Sequence, residues 1–318
     1  FRHDMVVIDQ QAKKGVEGFA ASLHNTIILP YLVRHGTEEQ KKKYLPKLVT
    51  GELVSAIAMT EPGVGSDLQS ITTTALKDGN GYRLNGAKTY ISNGQTADFI
   101  IVVAKTDPNE RAKGISLMLL ETEGAEGFQR GKKLDKIGLD AADTSELFFD
   151  DVFVPGDNVL GGEEGKGFYQ LMGELPQERL IIAMGAMTGI EKALEVTLEF
   201  TKERKAFGQP IWEFQNTQFV MADLNARGTA ARVFLNDCIA KHLEGKLDVP
   251  TACMAKYMIT ELQSEVVDKC LQFHGGAGYI NDYPIARMYR DTRIARIYGG
   301  SNEIMKMVTA RSRGIGMM

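Results

Sequence analysis

The sequence is poor in the residues that staple small folds or bind transition metals: three Cys, one Trp and five His in 318 residues. Cys238, Cys253 and Cys270 lie far apart with no C-x-x-C spacing. That excludes a disulfide framework and a zinc site, and leaves buried free thiols in a reducing compartment as the expectation. Charge of one sign is scarce too. A formal net charge of −4 provides no basic surplus for non-specific nucleic-acid binding. No apolar run reaches the roughly 18 residues of a membrane span. The longest candidate, 180–190, is broken by Gly and Thr. The chain opens on Phe1 rather than Met, so it reads as a chain whose true start, with any targeting peptide, is missing.

With 43% hydrophobic residues and 25% charged, the composition is that of an ordinary globular protein with room for more than one core. Three textures follow one another. Residues 1–52 form an N-terminal helical domain whose helical pattern runs from 11 to 49, with Phe19, Leu23 and Ile27, then Tyr44, Leu45 and Leu48, at three- and four-residue steps; Pro30 interrupts and Gly51 follows the last turn. From 53 to 160, short β-branched and aromatic runs alternate with Gly, Asn and Asp. "ITTTALKDGNGYRLNGAKTYIS", "DFIIVVAKT", "GISLMLLET" and "SELFFDDVFVP" read as close-spaced strands of an antiparallel barrel or sandwich. From 161 to 318 the helical period returns. Long helices are expected over about 165–204, 212–244 and 249–275, with shorter ones near 285–295 and 302–312, packed as an antiparallel four-helix bundle. The fold class is thus α+β multidomain: N-terminal helices, a middle antiparallel β-barrel and a C-terminal bundle.

Four strings carry potential chemistry. "AMTEPGVGSD" (58–67) leaves a strand for a glycine loop, where Gly63 and Gly65 bare the backbone N–H groups to an anion and Ser66 adds a hydroxyl. A plain turn is the competing reading. "KTYISNG" (88–94) places Tyr90 and Ser92 on one strand face, able to wall a flat ring and bond its edge. "ERKAFGQPIWEFQ" (203–215) offers Arg204 for a phosphate and Phe207 for a base. "LQFHGGAGY" (271–279) ends a helix at Gly275 and Gly276, and its His274 reads as a structural helix-end residue.

One residue breaks a pattern. Phe168, Leu171, Leu175, Ile182, Ala186 and Gly189 form an apolar helical stripe, and the slot that completes it is Glu178. A carboxylate there is either a buried catalytic base or, if Pro176 starts a helical segment, a third-position glutamate complementing the helix dipole.

In this order, "AMTEPGVGSD", "YISNG", "RKAFG", "LQFHGGAGY" and "IYGGSNEI" resemble the acyl-CoA dehydrogenase family over nearly the whole chain. The resemblance implies FAD, a fatty acyl-CoA substrate and oxidation to a trans-2-enoyl thioester, with electrons passed to an electron-transfer flavoprotein. It implies that Ile57, Met59, Thr60, Gly65 and Ser66 line the flavin and pyrophosphate, and that Tyr90, Ile91 and Ser92 cover the flavin. Arg204, Phe207, Gln215, Gln272, Gly275 and Gly276 would hold the adenine half of an FAD in a neighbouring subunit of a homo-oligomer, usually a tetramer. Ser301, Asn302 and Glu303 would close the pocket. Ser66, Tyr169, Arg179 and Tyr298 would face substrate, Arg179 on the CoA portion. No metal is implied. The compartment would be bacterial cytoplasm or mitochondrial matrix.

Many members place a glutamate after the Tyr of an "IYEGT"-like string, whereas Gly299 stands there in "IYGGSNEI". In long-chain and isovaleryl-type members the base comes from the first bundle helix, and the matching position is Glu178. By that resemblance Glu178 removes the α-proton, a hydride passes to flavin N5, and the Gly299 N–H and a ribityl hydroxyl bind the thioester oxygen. Burial among Leu171, Leu175 and Ile182 is expected to raise the carboxyl's pKa. Glu174 and Glu303 are reserve candidates, expected to be structural or solvent-facing. An acyl-CoA oxidase or flavin monooxygenase on the same scaffold, and a non-catalytic flavoprotein that binds a partner, are the alternatives.

Overall fold

The computed structural model describes residues 1–16, 18 and 20–315, so Phe19 of the expected helical stripe lies outside the described residues. The chain folds as two compact units, one of residues 18–136 and 140–175, the other of 1–17, 137–139 and 176–318. No helix among the described residues is long and apolar enough to cross a membrane.

The N-terminal part holds three helices. α1 (Arg2–Lys13) buries Met5, Ile8 and Ala12, a stripe at helical spacing. A π-helical turn over Leu23–Ile28 leads into α2 (Leu29–His35), so Pro30 sits in a helix's first turn, where its missing N–H costs nothing. α3 (Glu38–Thr50) starts at a capping box between Thr37 and Gln40 and stops at the left-handed Gly51.

The strands follow: β1 (Ser55–Ala58), β2 (Thr74–Asp78), β3 (Gly81–Ser92), β4 (Phe99–Lys105), β5 (Ile115–Glu121), β6 (Phe128–Lys133) and β7 (Thr144–Pro155). They form one seven-stranded sheet in the order β1-β4-β2-β3-β7-β6, with β5 beside β4. Most pairs are antiparallel, but β1 and the start of β2 run parallel to β4, and the ladder leaves β1 and β6 at its ends. The expected antiparallel barrel is therefore a curled mixed sheet. The β1–β4 pair is parallel because β1 joins β4 only after the β2–β3 hairpin intervenes, a crossover long enough for parallel pairing. β4 and β5 are buried on both faces, which is why "FIIVVAK" and "ISLMLLE" read as continuous apolar runs. Ala56, Ile100, Val102, Met118 and Leu147 pack on one face, while Tyr31, Tyr44, Phe99, Ile101 and Leu117 join the other to α2 and α3.

Next come α4 (Gly167–Glu203), the hairpin strands β8 (Lys205–Ala206) and β9 (Gln209–Pro210), α5 (Gln215–Leu243), α6 (Val249–His274), α7 (Pro284–Thr292) and α8 (Asn302–Ser312). The expected four-helix bundle has three long helices, with the short α7 and α8 packed on α6. Close approach is built in: a Cβ on Gly189 of α4 would lie 2.5 Å from Gln263 Nε2 of α6. Cys238, Cys253 and Cys270 are buried and free in this core. α1 joins this unit through Asp9, whose carboxylate accepts from Thr188 Oγ1 at 3.1 Å and faces Arg232 at 3.7 Å.

Candidate active site

In the β-rich unit, the loop after β1 is held by an ion pair inside the protein. Glu61 is 3% exposed and Lys88, on β3, 1%. Lys88 Nζ donates to Glu61 Oε1 at 2.9 Å and to the Met59 carbonyl at 3.0 Å. The carboxylate also accepts from the Thr72 and Thr73 backbone N–H groups and the Thr72 hydroxyl at 2.7–2.9 Å. Burial pushes the Glu61 carboxyl up, but the Lys88 charge and these donors outweigh it and bring it down to about 2. For Lys88 burial prevails over the attraction of Glu61, and its ammonium falls to about 8. The Thr89 N–H donates to the Thr60 carbonyl at 2.9 Å, which ties the loop to the end of β3.

That end of β3 is where Tyr90, Ile91 and Ser92 sit. A register shift between Lys88 and Ile91 lets Lys88 and Thr89 both turn inward. Tyr90 then takes a left-handed φ of 60° and stands 69% exposed, while Ile91 is buried and Ser92 half-buried. A non-glycine residue held at positive φ marks a local constraint. Ile57, Met59 and Thr60 are half-buried, and Gly65 and Ser66 are exposed. Neither Gly63 nor Gly65 has a left-handed φ, and a Cβ on either would meet nothing within 4 Å. Nothing inside the chain demands glycine there, whereas the close approach of a bound group would. Tyr169, also in this unit, is 53% exposed. Glu174 is structural: it is 2% exposed and pairs with Arg34 and, at 3.0 Å, with His35 Nε2.

In the helical unit, α4 runs unbroken through Pro176. Glu178 is therefore not at a helix start, which removes the reading of it as a dipole-complementing third residue. Glu178 and Arg179 are each 5% exposed. One turn beyond Glu178, on the same face, lies Ile182. Gly299 abuts it: a Cβ on Gly299 would stand 2.2 Å from Ile182 Cδ1, and its φ is +63°. The two positions between which sequence reasoning places the base, 178 and 299, are thus brought to neighbouring turns. Tyr298 is 45% exposed. After the left-handed Gly299 and Gly300, Ser301 caps α8 by accepting from the Ile304 N–H. Glu303 is exposed in the first turn of α8, its carboxyl lowered by its own backbone N–H and by Ser301. Arg179 Nε is buried with no hydrogen-bond partner among the described residues, and Arg179 lies in electrostatic range of Cys253 and Lys256.

The remaining residues gather at the far end of α4. Arg204 follows α4, Phe207 tips the β8–β9 hairpin at φ +52° and 98% exposure, and Gln215 opens α5. Gln272, Gly275 and Gly276 are exposed where α6 ends. The ring of His274 stacks on Phe200 of α4 with centroids 4.1 Å apart, joining the two ends, and burial lowers its pKa. It is a structural residue, as its sequence context indicates.

Sequence reading passed over three features: the Lys88–Glu61 pair, the Ile182–Gly299 contact and a buried lysine, Lys256. Lys256 had a legible signal, since it follows the buried Cys253 by three positions on α6 and so stands on an apolar face, as Glu178 does.

Comparisons with known proteins agree with this arrangement. The acyl-CoA dehydrogenase N-terminal domain family matches residues 1–52, the middle domain family 56–152 and the C-terminal domain family 165–313. The mitochondrial long-chain specific acyl-CoA dehydrogenase of Sus scrofa is 48% identical over 96% of this chain and 71% of its own length. The crystal structure of acyl-CoA dehydrogenase from Geobacillus kaustophilus superposes with a TM-score of 0.95 at 48% identity, covering 98% of this chain and 82% of that one. The FAD complex of PigA does so at 0.93 and 32% identity, with the same coverage. With its three segments matched in order along nearly its whole length, the chain belongs to the acyl-CoA dehydrogenase family.

Proposed function

We propose that this chain removes two hydrogens from the Cα–Cβ bond of a long-chain acyl-CoA to give the trans-2-enoyl-CoA, with FAD as cofactor, Glu178 as base and an electron-transfer flavoprotein as electron acceptor. One observation carries the assignment of the base. Glu178 is a buried carboxylate on a helix face whose next turn packs against Gly299, a position with no side chain.

Bound FAD supplies the hydride acceptor. The chain's own groups do the rest. Removing a weakly acidic α-proton requires a base that is close, aligned and shielded from water, and Glu178 on a continuous helix is rigidly aimed. Negative charge then builds on the thioester oxygen, where the Gly299 N–H, presented by a left-handed turn, donates. Thr60, Tyr90 and Ser92 fit one side of a flat ring system, and the bare loop at Gly63 and Gly65 fits a pyrophosphate. The sequence division into an N-terminal helical domain, a middle domain and a C-terminal bundle belongs to the same reading.

Geometry supports a cofactor shared between copies. From Glu178 to Glu203, α4 spans 25 residues at about 1.5 Å each, or about 38 Å. Arg204, Phe207 and Gln215 are too far along that rod to serve the same cofactor as Glu178 of their own chain. A homo-oligomer, with a tetramer as the proposed state, resolves this.

The test is Glu178→Gln. Parental enzyme mixed anaerobically with a long-chain acyl-CoA should lose its flavin absorbance. The variant should keep its FAD and bleach at least about 100-fold more slowly, the lower bound for losing a positioned base. Bleaching at the parental rate would overturn the assignment. Turnover across acyl-CoAs of graded chain length checks the substrate: a maximum at short chains would contradict the long-chain reading.

A further inference from the structure

Gly299 and Gly300 are consecutive left-handed residues, at φ +63° and +91°. Two such residues in a row have many accessible conformations and need something to hold one of them. What holds them is Lys256, on α6. Its side chain is fully buried, and Nζ donates to the Gly300 carbonyl at 2.9 Å and to Asn302 Oδ1 at 2.9 Å. Asn302, 1% exposed, is locked in turn. Its amide donates to Thr260 Oγ1 at 3.0 Å and to Glu261 Oε1 at 3.1 Å, both from α6. The Thr260 hydroxyl donates back to the Lys256 carbonyl at 2.9 Å.

A fully buried ammonium is an expensive way to satisfy one carbonyl and one amide oxygen. Burial and then the nearby Arg179 push its pKa down to about 8, against the pull of Glu303 and Glu261. Cys253, the other titratable group facing it, is itself raised by burial. Even without its charge the amine keeps two N–H donors, so the grip on Gly300 and Asn302 survives deprotonation.

We propose that Lys256 is a positioning residue for the reaction: by clamping the Gly300 carbonyl and the Asn302 side chain, it fixes the 299–300 turn and so aims the Gly299 N–H at the thioester oxygen. This rests on the reading of Gly299 given under the proposed function. Lys256 touches no reacting atom. It acts through the peptide it holds.

Lys256→Met, similar in length and without the donors, tests this in the holoenzyme. The expected result is a fall in kcat of about 10- to 100-fold, the scale of a misplaced group, with KM changed less than about threefold. Activity alone would not separate aiming from general damage. The second readout is the isotope-edited infrared carbonyl stretch of a bound trans-2-enoyl-CoA. In the parental protein it should lie below its position in free solution, and in Lys256→Met it should move back toward that position. A variant with lowered thermal stability but parental kcat per flavin and an unmoved stretch would make Lys256 merely structural and overturn the proposal. If Lys256→Met yields no folded holoenzyme, Thr260→Val, which loosens Asn302 and leaves Lys256 in place, carries the test. It should shift the stretch the same way and lower kcat about two- to fivefold, and no change in either refutes the idea. The base assignment fails separately. An inert Glu178→Gln with an unaltered Lys256→Met sinks only the present proposal, whereas an active Glu178→Gln sinks the base and leaves the infrared readout of Gly299 intact.

Discussion

Each of the two units buries a lysine behind a loop, and the two lysines are partnered differently. Lys88 in the β-rich unit faces a carboxylate, Glu61, which backbone and hydroxyl donors also hold. Lys256 in the helical unit faces a backbone carbonyl and a side-chain amide, both neutral. Burial brings both down to about 8. The first arrangement is an ionic staple, whose loss would strand an opposite charge. The second is a neutral clamp, whose loss leaves two acceptors short of a donor. A buried pair costs most when only one member is removed. The loop after β1 is thus held more tightly than the 299–300 turn.

The largest expected effect comes from Lys88→Met. Leaving Glu61 buried without its cation should cost about 3–5 kcal/mol of unfolding free energy, measured by urea titration of the purified protein. Lys256→Met should cost only about 1–3 kcal/mol, the penalty for under-satisfied acceptors. Equal losses would erase the distinction between staple and clamp.

Next is the alkaline limb. For a lysine at about 8 in the folded chain and 10.5 in its ordinary state, the unfolded chain binds more protons between those values, so its contribution to stability rises with pH there. Urea midpoints at pH 7.5 and 9.5 should therefore climb less in Lys256→Met than in the parental protein. The buried Cys238 and Cys270 thiols, raised to about 11, act in the opposite direction from pH 9 upward but are common to both proteins. An identical climb would mean that Lys256 keeps its proton in the folded chain up to about pH 9.5, as it does in the unfolded one.

The smallest effect is that of Thr260→Val on stability, about 1 kcal/mol for one hydroxyl's bonds. A loss several times larger would mean that Asn302 depends on Thr260 more than on Lys256.

The bundle was legible in the sequence. Helices expected over 165–204, 212–244 and 249–275 fall at Gly167–Glu203, Gln215–Leu243 and Val249–His274, because long amphipathic periods and glycine stops are local signals. The parallel placement of β1 against β4 was not legible, since strand partners are chosen by the whole sheet and not by either strand's own pattern. α1 was missed at its start: Arg2, His3 and Asp4 open it with no apolar period of their own. In the site, Glu178 stood out as a carboxylate in an apolar stripe. Lys88 sat in a string where Tyr90 and Ser92 drew the attention, and Lys256 lay on α6 outside every string singled out. Their acceptors are carbonyls and a carboxylate brought in by tertiary folding, which no spacing rule announces.

The gap that Ile182 fills has a bearing on how such an enzyme can change over time. With a methyl group standing 2.2 Å from where residue 299 would carry its first side-chain carbon, acid groups at the two positions are rivals rather than spares. A lineage trading one for the other must swing or shrink the Ile182 side chain and also hold a side chain at a φ of +63°. Along that route, bulk and backbone conformation weigh beside proton chemistry.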